Sequence, residues 1–403
     1  MSTIELGGIC RYRTESMLVG SLPYVTTESM LPNKSGIAGK TSAPSSKKAR
    51  FFRNGDTLIS NIRPYFKKIW QAEYDGCCSA DVLVFEPSNC DADYLYWLLS
   101  NDVFFSYMVS TAKGTKMPRG DKSAIMHYAL EHMDVSEQRA IAGVLNPIRE
   151  LIATNQHTND YLKQCAMTLF SQFYMDRWGE DLPDGWSYQR VEEFAEKVAM
   201  GPFGSNIKVE TFVDEGVPII SSAHLRGLLL EELEYNHITE EHANRLANSM
   251  VYPGDIVFTH AGNIGQASLV TKWAAEPKYM ISQRQFYLRC NQDKMLSEIP
   301  ALYFHTRVGC HVLTANSSST GVPSIAQPSS YLKSIEIIVP DMESQHAFVN
   351  QIEPMLHQYV VNEKEIRRLE QLRDALLPKL MSGEIDVSQI ELPKQSNNHL
   401  CES

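Results

Sequence analysis

The chain has no stretch approaching eighteen uninterrupted apolar residues, and its opening, MSTIELGGICRYR, has no apolar segment of the kind a secretory leader needs. These absences argue against a membrane-spanning helix, and a cytoplasmic protein is expected. Its eight cysteines form no CxxC pair and no His/Cys ligand spacing. Cys77 and Cys78 are neighbours too close for an ordinary bridge, so free thiols in a reducing compartment are expected and a structural zinc is not. Catalytic motifs are missing as well. No Walker A sequence is present to drive ATP-dependent translocation. An adenine methyltransferase would need an Asn-Pro-Pro-aromatic loop and a glycine-rich cofactor turn. The one Asn-Pro here is Asn146-Pro147 inside a helical segment, and GNIGQ is a lone glycine turn.

What is present begins with length: 403 residues suit two or three domains. The net charge of −11 argues at face value against nucleic acid, but its distribution matters more. From Lys34 to Lys68 nine basic residues (Lys34, Lys40, Lys47, Lys48, Arg50, Arg53, Arg63, Lys67, Lys68) face one acid, Asp56. Lys113, Lys116, Arg119 and Lys122 face only Asp121. The acids concentrate elsewhere, in EDLPD, in EELEYNHITEEH and in the C-terminal third.

The two halves repeat. Adding 207 to a residue number pairs Gly114 with Gly321, Ser123 with Ser330, Asp134 with Asp341, Gln138 with Gln345 and Ala140 with Ala347. The same offset pairs Pro147 with Pro354, Asn155 with Asn362, Leu162 with Leu369, Gln164 with Gln371 and Leu169 with Leu376. Upstream, the Gly55-Asp56 turn matches Gly254-Asp255 at an offset of 199, so the second half holds eight extra residues between its Gly-Asp turn and Gly321. Two copies make a duplication and not a solenoid.

In each half the later segment predicts a long helix. Ile141, Leu145, Ile148 and Ile152, then Leu162, Ala166, Leu169 and Phe173, recur at the coiled-coil period. Their equivalents are Phe348, Ile352, Met355, Tyr359, Ile366, Leu369, Leu376 and Leu380. Asn155 and Asn362 share a seam position, where a polar residue either fixes register or faces solvent. Pro147 and Pro354 imply a kink or a late first turn, and Gly383 a C-terminal stop. Each helix would run about 50 Å between its outermost seam residues. Neither can bury its seam alone, so an antiparallel pairing of the two, with a globule near each end, is expected. A nuclease-like Pro340-Asp341-Met342-Glu343 loses its second carboxylate in the counterpart Met133-Asp134-Val135-Ser136, so Asp134 and Asp341 are read as helix starts.

The earlier segments are α+β. TLISNI, DVLVFEP, IVFTH, QFYLRC and IEIIVP are short β-rich runs, and DYLYWLLSNDVFFSYMV and MLSEIPALYFHTRVG are helical pieces with a large apolar face. The expected fold is therefore α+β: two globular mixed domains separated by two long helices forming an antiparallel coiled coil, with an internal pseudo-two-fold repeat.

At this point the motifs resemble those of the specificity subunits of type I restriction and modification systems. In the second half MGPFGSNIK, GVPIISSAHLRG, YPGDIVFTHAGNIGQASLV, ISQRQFYLRC and STGVPSI, followed by IEIIVPDMESQ and LEQLRDALLPKLMSGEI, fall in that family's order. The first half shows LPYVTTESM, RNGDTLISNIRPYFKKIW, SADVLVFEP and DVSEQRAIAGVLNPI. It has no clear counterpart of MGPFGSNIK, so its opening strand is expected to be shortened or formed differently. Neither MDVSEQR nor PDMESQH has the family's Pro-Pro opening.

The resemblance implies two target recognition domains, residues 1–133 and 180–338, each reading one half of a bipartite site in double-stranded DNA. It implies two spacer helices, 134–179 and 339–385, that dock methyltransferase subunits, expected as two, with restriction/translocase subunits beyond them and a tail over 386–403. It implies no catalysis and no cofactor in this chain: AdoMet belongs to the methyltransferase partner, ATP and Mg to the restriction partner.

Base edges are read by Arg or Lys at guanine and Asn or Gln at adenine, while hydroxyls and amides fix phosphates. The candidates in the first half are Lys47, Lys48, Arg50, Asn61, Arg63, Tyr65, Lys67, Lys68, Lys113, Thr115, Lys116 and Arg119. In the second half they are Ser205, Asn206, Lys208, Ser222, His224, Arg226, His260, Asn263, Gln283 and Arg284. The alternative is a coiled-coil structural or regulatory protein without DNA readout, in which the basic clusters would disperse over several faces.

Overall fold

The computed structural model describes residues 3–39, 41–43, 45–179, 181–203, 206–318 and 321–387. The chain forms two compact units. The first runs to Gln156 and is joined by the residues from Lys364 on; the second is His157–Glu363.

The first unit is closed by its own ends, since strand Thr3–Glu5 pairs antiparallel with Ala129–Glu131. One antiparallel sheet has the order Cys10–Tyr12, Val82–Pro87, Thr57–Ser60, Ile69–Gln71. All four residues of Thr57–Ser60 are buried, as a central strand covered on both faces requires, with Leu58 and Ile59 entering different core clusters. A second sheet has the order Ser16–Leu18, Lys48–Phe52, Gly76–Cys78, Tyr24–Val25, its last pair parallel. The helical run DYLYWLLSNDVFFSYMV is two helices, Ala92–Ser100 and Asp102–Ser110, broken at Asn101, whose side chain accepts the Val103 amide as an N-cap.

The second unit repeats the plan. Ser187–Arg190 pairs with Glu336–Val339, and the antiparallel sheet has the order Ala195–Met200, Gln285–Cys290, Ile256–Thr259, Ala267–Leu269. Its opening strand has six residues where the first unit has three. A helical hairpin, Glu298–His305 and Arg307–Thr314, breaks at the N-cap Thr306. In the other sheet Met250–Val251, Tyr279–Ile281 and Val217–Ile220 correspond to Lys48–Phe52, Gly76–Cys78 and Tyr24–Val25, with the parallel pair kept. The fourth strand changes edge: Ser16–Leu18 adds beside Lys48–Phe52, whereas Asn236–Ile238 adds beside Val217–Ile220.

Both Gly-Asp turns need glycine, with Gly55 at φ +88 and Gly254 at φ +96. Both bury the carboxylate against a bidentate guanidinium, delivered from different strands. Arg13 reaches Asp56 at 2.6 and 3.0 Å, whereas Arg289 reaches Asp255 at 2.7 and 2.6 Å. At the strand position of Arg289 the first unit carries Glu86, itself 3.0 Å from Arg13. The duplication has exchanged the donor strand and kept the pair.

The long helices are Val135–Phe173 and Met342–Met381, continuous through Pro147 and Pro354. Asp134 exchanges bonds with Glu137 at their first turn, while Asp341 accepts the Ser344 amide and hydroxyl and the Trp186 indole. Gln138 and Gln345, both buried, join each helix to its domain: Gln138 accepts the Asp91 amide and Gln345 the Leu296 amide, each at the start of the helical hairpin.

The pairing is antiparallel within each unit. Ile141 and Leu145 share a core with Leu377 and Leu380 in the first, and Phe173 stacks on Phe348 at 4.4 Å in the second. The seam differs in detail from the heptad expectation. Phe170, Tyr174, Leu356 and Leu377 are buried where Leu169, Phe173, Met355 and Leu376 were expected, because a 3.6-residue helix drifts off a strict 3.5 repeat. The buried polar partner of Asn362 is Asn159, at 2.8 Å, and not Asn155.

Ser344 holds the Asp341 carboxyl below the usual carboxylate range. A depressed carboxylate stabilises the fold above its unfolded pKa and loses that contribution as pH falls through the folded one. Asp341→Ala is therefore expected to lower the urea midpoint at pH 7, with a deficit that shrinks under acid conditions.

Candidate nucleic-acid interface

In the first unit the residues that follow Thr57–Ser60 emerge at the end opposite the Gly-Asp turn. Asn61 starts this loop and is buried, its amide bonded to the Asp81 carbonyl at 2.8 Å. Arg63, Tyr65 and Phe66 are exposed, in a tight turn over Pro64–Phe66 flanked by Arg63 and Lys67, both left-handed at φ +50.

This loop is tied to the second basic segment. The Arg63 amide donates to the Pro118 carbonyl at 2.8 Å, the Gly120 amide to the Asn61 carbonyl at 3.3 Å, and Ile62 bridges Arg119. The structure thus brings Arg63 together with Lys113, Thr115, Lys116 and Arg119, all exposed. Gly120 permits the approach, since a Cβ there would lie 2.9 Å from the Asn61 side-chain oxygen.

The cations differ in what they are free to do. Lys67 and Lys34 both pair with Asp102, at 3.0 and 2.8 Å, and Lys68 donates to the Thr27 carbonyl, so these three mainly hold loops together. Desolvation would raise the Asp102 carboxyl, but the two lysines hold it below its usual range. Arg50 is half-buried and donates to the Val82 carbonyl, and Lys47 donates to the Tyr24 hydroxyl. Lys113 and Arg119 form exposed pairs with Asp121 and Asp81, of the solvent-screened kind that adds little to stability. Arg63, Lys116 and Lys48 have no ion-pair partner among the described residues.

The second unit builds the same end from five segments. The Gly262 amide donates to the Pro323 carbonyl at 2.9 Å, the counterpart of the Arg63 to Pro118 bond. His260 contacts the Gln283 carbonyl through Nε2 at 3.0 Å, and its amide donates to the Arg284 carbonyl. Gln285, fully buried, donates to Ser222 Oγ at 3.0 Å, and the Gly201 amide donates to the Gln285 carbonyl. Gly201 is obligatory here, since a Cβ would stand 1.9 Å from the Ser282 carbonyl oxygen. These bonds gather the 201, 222, 260–263, 283–284 and 323 segments, with Asn263, Gln283 and Arg284 exposed among them.

Four candidates of this unit fall differently. His224 is a correction: it is buried and stacked on Tyr235 at 4.3 Å, Nδ1 accepting the Ser221 amide and Nε2 3.3 Å from the Glu234 carbonyl. Burial lowers its pKa, so it is a neutral turn support and not a base contact. Arg226 lies apart beside Glu231, which also feels Lys163 and Glu363. Asn206 and Lys208 are exposed near the helix Glu240–Arg245, the Asn206 carbonyl touching His242 Nε2. Ser205 lies outside the described residues.

No family model matches the chain. It is 22% identical over 325 residues to the Methanocaldococcus jannaschii type I restriction enzyme MjaIX specificity subunit, covering 74% of this chain and 70% of that protein. It is 21% identical to the Haemophilus influenzae type I restriction enzyme HindI specificity subunit, covering 94% and 98%. The solved S subunit of a type I restriction-modification system from M. genitalium superposes with a TM-score of 0.59 at 13% identity, over 94% of this chain and 96% of that one. By sequence, the chain is a relative of the type I specificity subunits. The chain carries its duplicated fold in both halves, and the loop ends of the two units are built on the same cross-loop bond.

Sequence reasoning passed over Phe66, which sat beside Tyr65 in a basic loop, a usable signal. Gln285, which the sequence places with Gln283 and Arg284 just before a strand, is the first residue of that strand and fully buried. Among the described residues no cluster of three or more His, Cys, Asp or Glu could hold a metal ion, and no helix is long and apolar enough to cross a membrane.

Proposed function

We propose that this chain is the DNA-specificity subunit of a type I restriction and modification complex. Residues 1–133 and 180–338 act as its two recognition domains, each taking one half of a split site. The observation that carries this is the pair of equivalent loop ends, built on the same Arg63 to Pro118 and Gly262 to Pro323 bond, with exposed cations converging in the first and exposed Asn263, Gln283 and Arg284 in the second. Cations position phosphates; Asn, Gln and Arg read base edges. A coiled-coil protein without DNA readout gives no reason for two basic segments some fifty residues apart to be drawn together at one end of a unit.

The long helices, spanning 134–179 and 339–385, serve as the docking ground for two methyltransferase subunits, with restriction subunits joining through the complex. The chain works in the cytoplasm and carries no cofactor, AdoMet being supplied on the methyltransferase and ATP and Mg on the restriction subunit. The test is co-expression with its genomic neighbours and mapping of methylated adenines: a split motif is expected, and absence of chain-dependent methylation would refute the proposal.

The same assay resolves single contacts. Gln283→Ala and Arg284→Ala are each expected to relax one position of one half-site by about 1 to 3 kcal/mol, leaving the other half-site intact. Relaxation of both half-sites by one substitution would count against independent domains.

A further inference from the structure

The two equivalent loops carry opposite chemistry. In the second unit the loop beyond Ile256–Thr259 holds Gly262, Asn263, Ile264 and Gly265; in the first, the same loop holds Arg63, Pro64, Tyr65 and Phe66. Tyr65 and Phe66 are 49% and 39% exposed, their rings 4.7 Å apart. Large aromatics gain by burial, so two adjacent ones held in water on a fixed loop need a reason.

The loop is fixed. Its far side is held by the Asn33 amide on the Phe66 carbonyl and the Lys34 amide on the Lys67 carbonyl, both at 2.9 Å, and its near side by Arg63 on Pro118. Arg63 and Lys67 sit in a backbone conformation that L side chains disfavour, and such conformations collect where a chain presents something to a ligand. The segment bonded to this loop carries the exposed cations Lys113, Lys116 and Arg119, and Arg63 at the loop's own base is exposed with them, so the surface that would bring the aromatic tip to a ligand is one for phosphates.

Resting on the DNA-binding function proposed above, we infer that Tyr65 and Phe66 form an aromatic wedge that unstacks a base step in the half-site held by the first unit, while the second unit reads its half-site without one. Apolar side chains inserted at a base step exchange the cost of unstacking for stacking on the protein and for closer backbone contacts. Selection at that half-site then includes how readily a step opens, which the loop of Gly262, Asn263, Ile264 and Gly265 cannot sense because its one large apolar side chain, Ile264, is packed against the core of its own unit.

The test uses the full chain assembled with its methyltransferase partners and duplexes of the mapped target with 2-aminopurine placed in turn at each adenine. A fluorescence rise on binding is expected at one step of one half-site, beyond any rise at the methylated adenine itself. Tyr65→Ala/Phe66→Ala is expected to abolish that rise, to weaken binding about ten- to a hundredfold, and to leave the salt slope unchanged. A mismatch at the responsive step removes the cost of unstacking, so the wild-type complex is expected to bind it roughly tenfold or more tightly, and the variant complex not to prefer it. That preference is internal to each protein and does not depend on how well the variant folds. Selective binding in which the double variant matches the wild type, or a rise that survives in the variant, overturns the wedge alone. A wild-type complex with no preference for any duplex overturns both the wedge and the specificity role.

Discussion

The variant Arg63→Ala/Lys113→Ala/Lys116→Ala/Arg119→Ala, assembled with its methyltransferase partners, is expected to bind the target duplex roughly a thousandfold more weakly near physiological salt. Each phosphate contact contributes about 0.9 to the slope of log affinity against log salt, so four contacts make a slope change of about 3.6, which at about 0.15 M amounts to some three powers of ten. The loss should be uniform across cognate and unrelated sequences, because phosphates carry no base information. The fold should survive: the four side chains are exposed, and the two ion pairs lost, Lys113 with Asp121 and Arg119 with Asp81, are of the weak surface kind. Titration by fluorescence anisotropy at several salt concentrations measures both quantities, and an unaltered slope would remove these residues from the interface. Lys67 and Lys68 are poorer choices for this experiment, since their ammonium groups hold Asp102 and the Thr27 carbonyl.

Arg289→Ala is expected to destabilise the second unit by about 3 to 5 kcal/mol, because it leaves a buried carboxylate without its partner. Asp255 has a side-chain exposure of 1%, and its remaining polar neighbour is the Tyr252 amide at 2.8 Å. Burial already pushes this carboxyl above its usual range, against the pull of Arg289. A carboxyl raised in the fold destabilises it once ionised, so the cost should be greatest near neutral pH and should shrink as pH falls and Asp255 takes up a proton. Urea unfolding at pH 7 and near pH 4 measures it; an equal cost at both would mean that the charge is not the cause. A double replacement of Asp255 and Arg289 by apolar residues of similar volume should recover most of the loss.

Much of this architecture was legible in the sequence, for reasons that can be named. The Gly-Asp turns stand out because glycine is needed at positive φ and the aspartate is buried, so Gly55-Asp56 and Gly254-Asp255 persist at an offset that matches the observed strand equivalence. Asp134 and Asp341 persist because each carboxylate accepts the amide three residues on, and Gln138 and Gln345 because each accepts an amide at the start of its helical hairpin. The break of each helical hairpin was also available, in the N-caps Asn101 and Thr306.

Other features were hidden because they depend on who meets whom. Asn155 and Asn362 are counterparts in the repeat, but in an antiparallel pair a residue touches a position running the other way, so Asn362 meets Asn159. Gly114 and Gly321 share the 207 offset, yet the cross-loop bond equates Pro118 with Pro323, two residues closer, because the first loop carries extra residues where Lys116 and Met117 stand. His224 followed a strand like its polar neighbours, and nothing local distinguishes a buried imidazole stacked on Tyr235 from an exposed one. Convergence of the basic segments rests on the bridge between Ile62 and Arg119, a long-range pairing that no local pattern encodes.

The assignment of the chain to units also dictates a schedule. The second unit is one uninterrupted stretch, His157–Glu363, while the first needs residues from both sides of it, including Leu377, Leu380 and Val387 against Ile141, Ala142 and Leu145. During synthesis the ribosome delivers every residue of the second unit before the last helical turns of the first. The earlier-made domain must therefore wait, its Ile141 and Leu145 uncovered, until the later-made one has been completed. Closing the first unit over a folded insert costs less chain entropy than closing it over a loose loop of the same length, so the second unit's stability feeds the folding rate of the first. A lesion such as Arg289→Ala, confined to the second unit, would then be felt as slow maturation of the whole polypeptide.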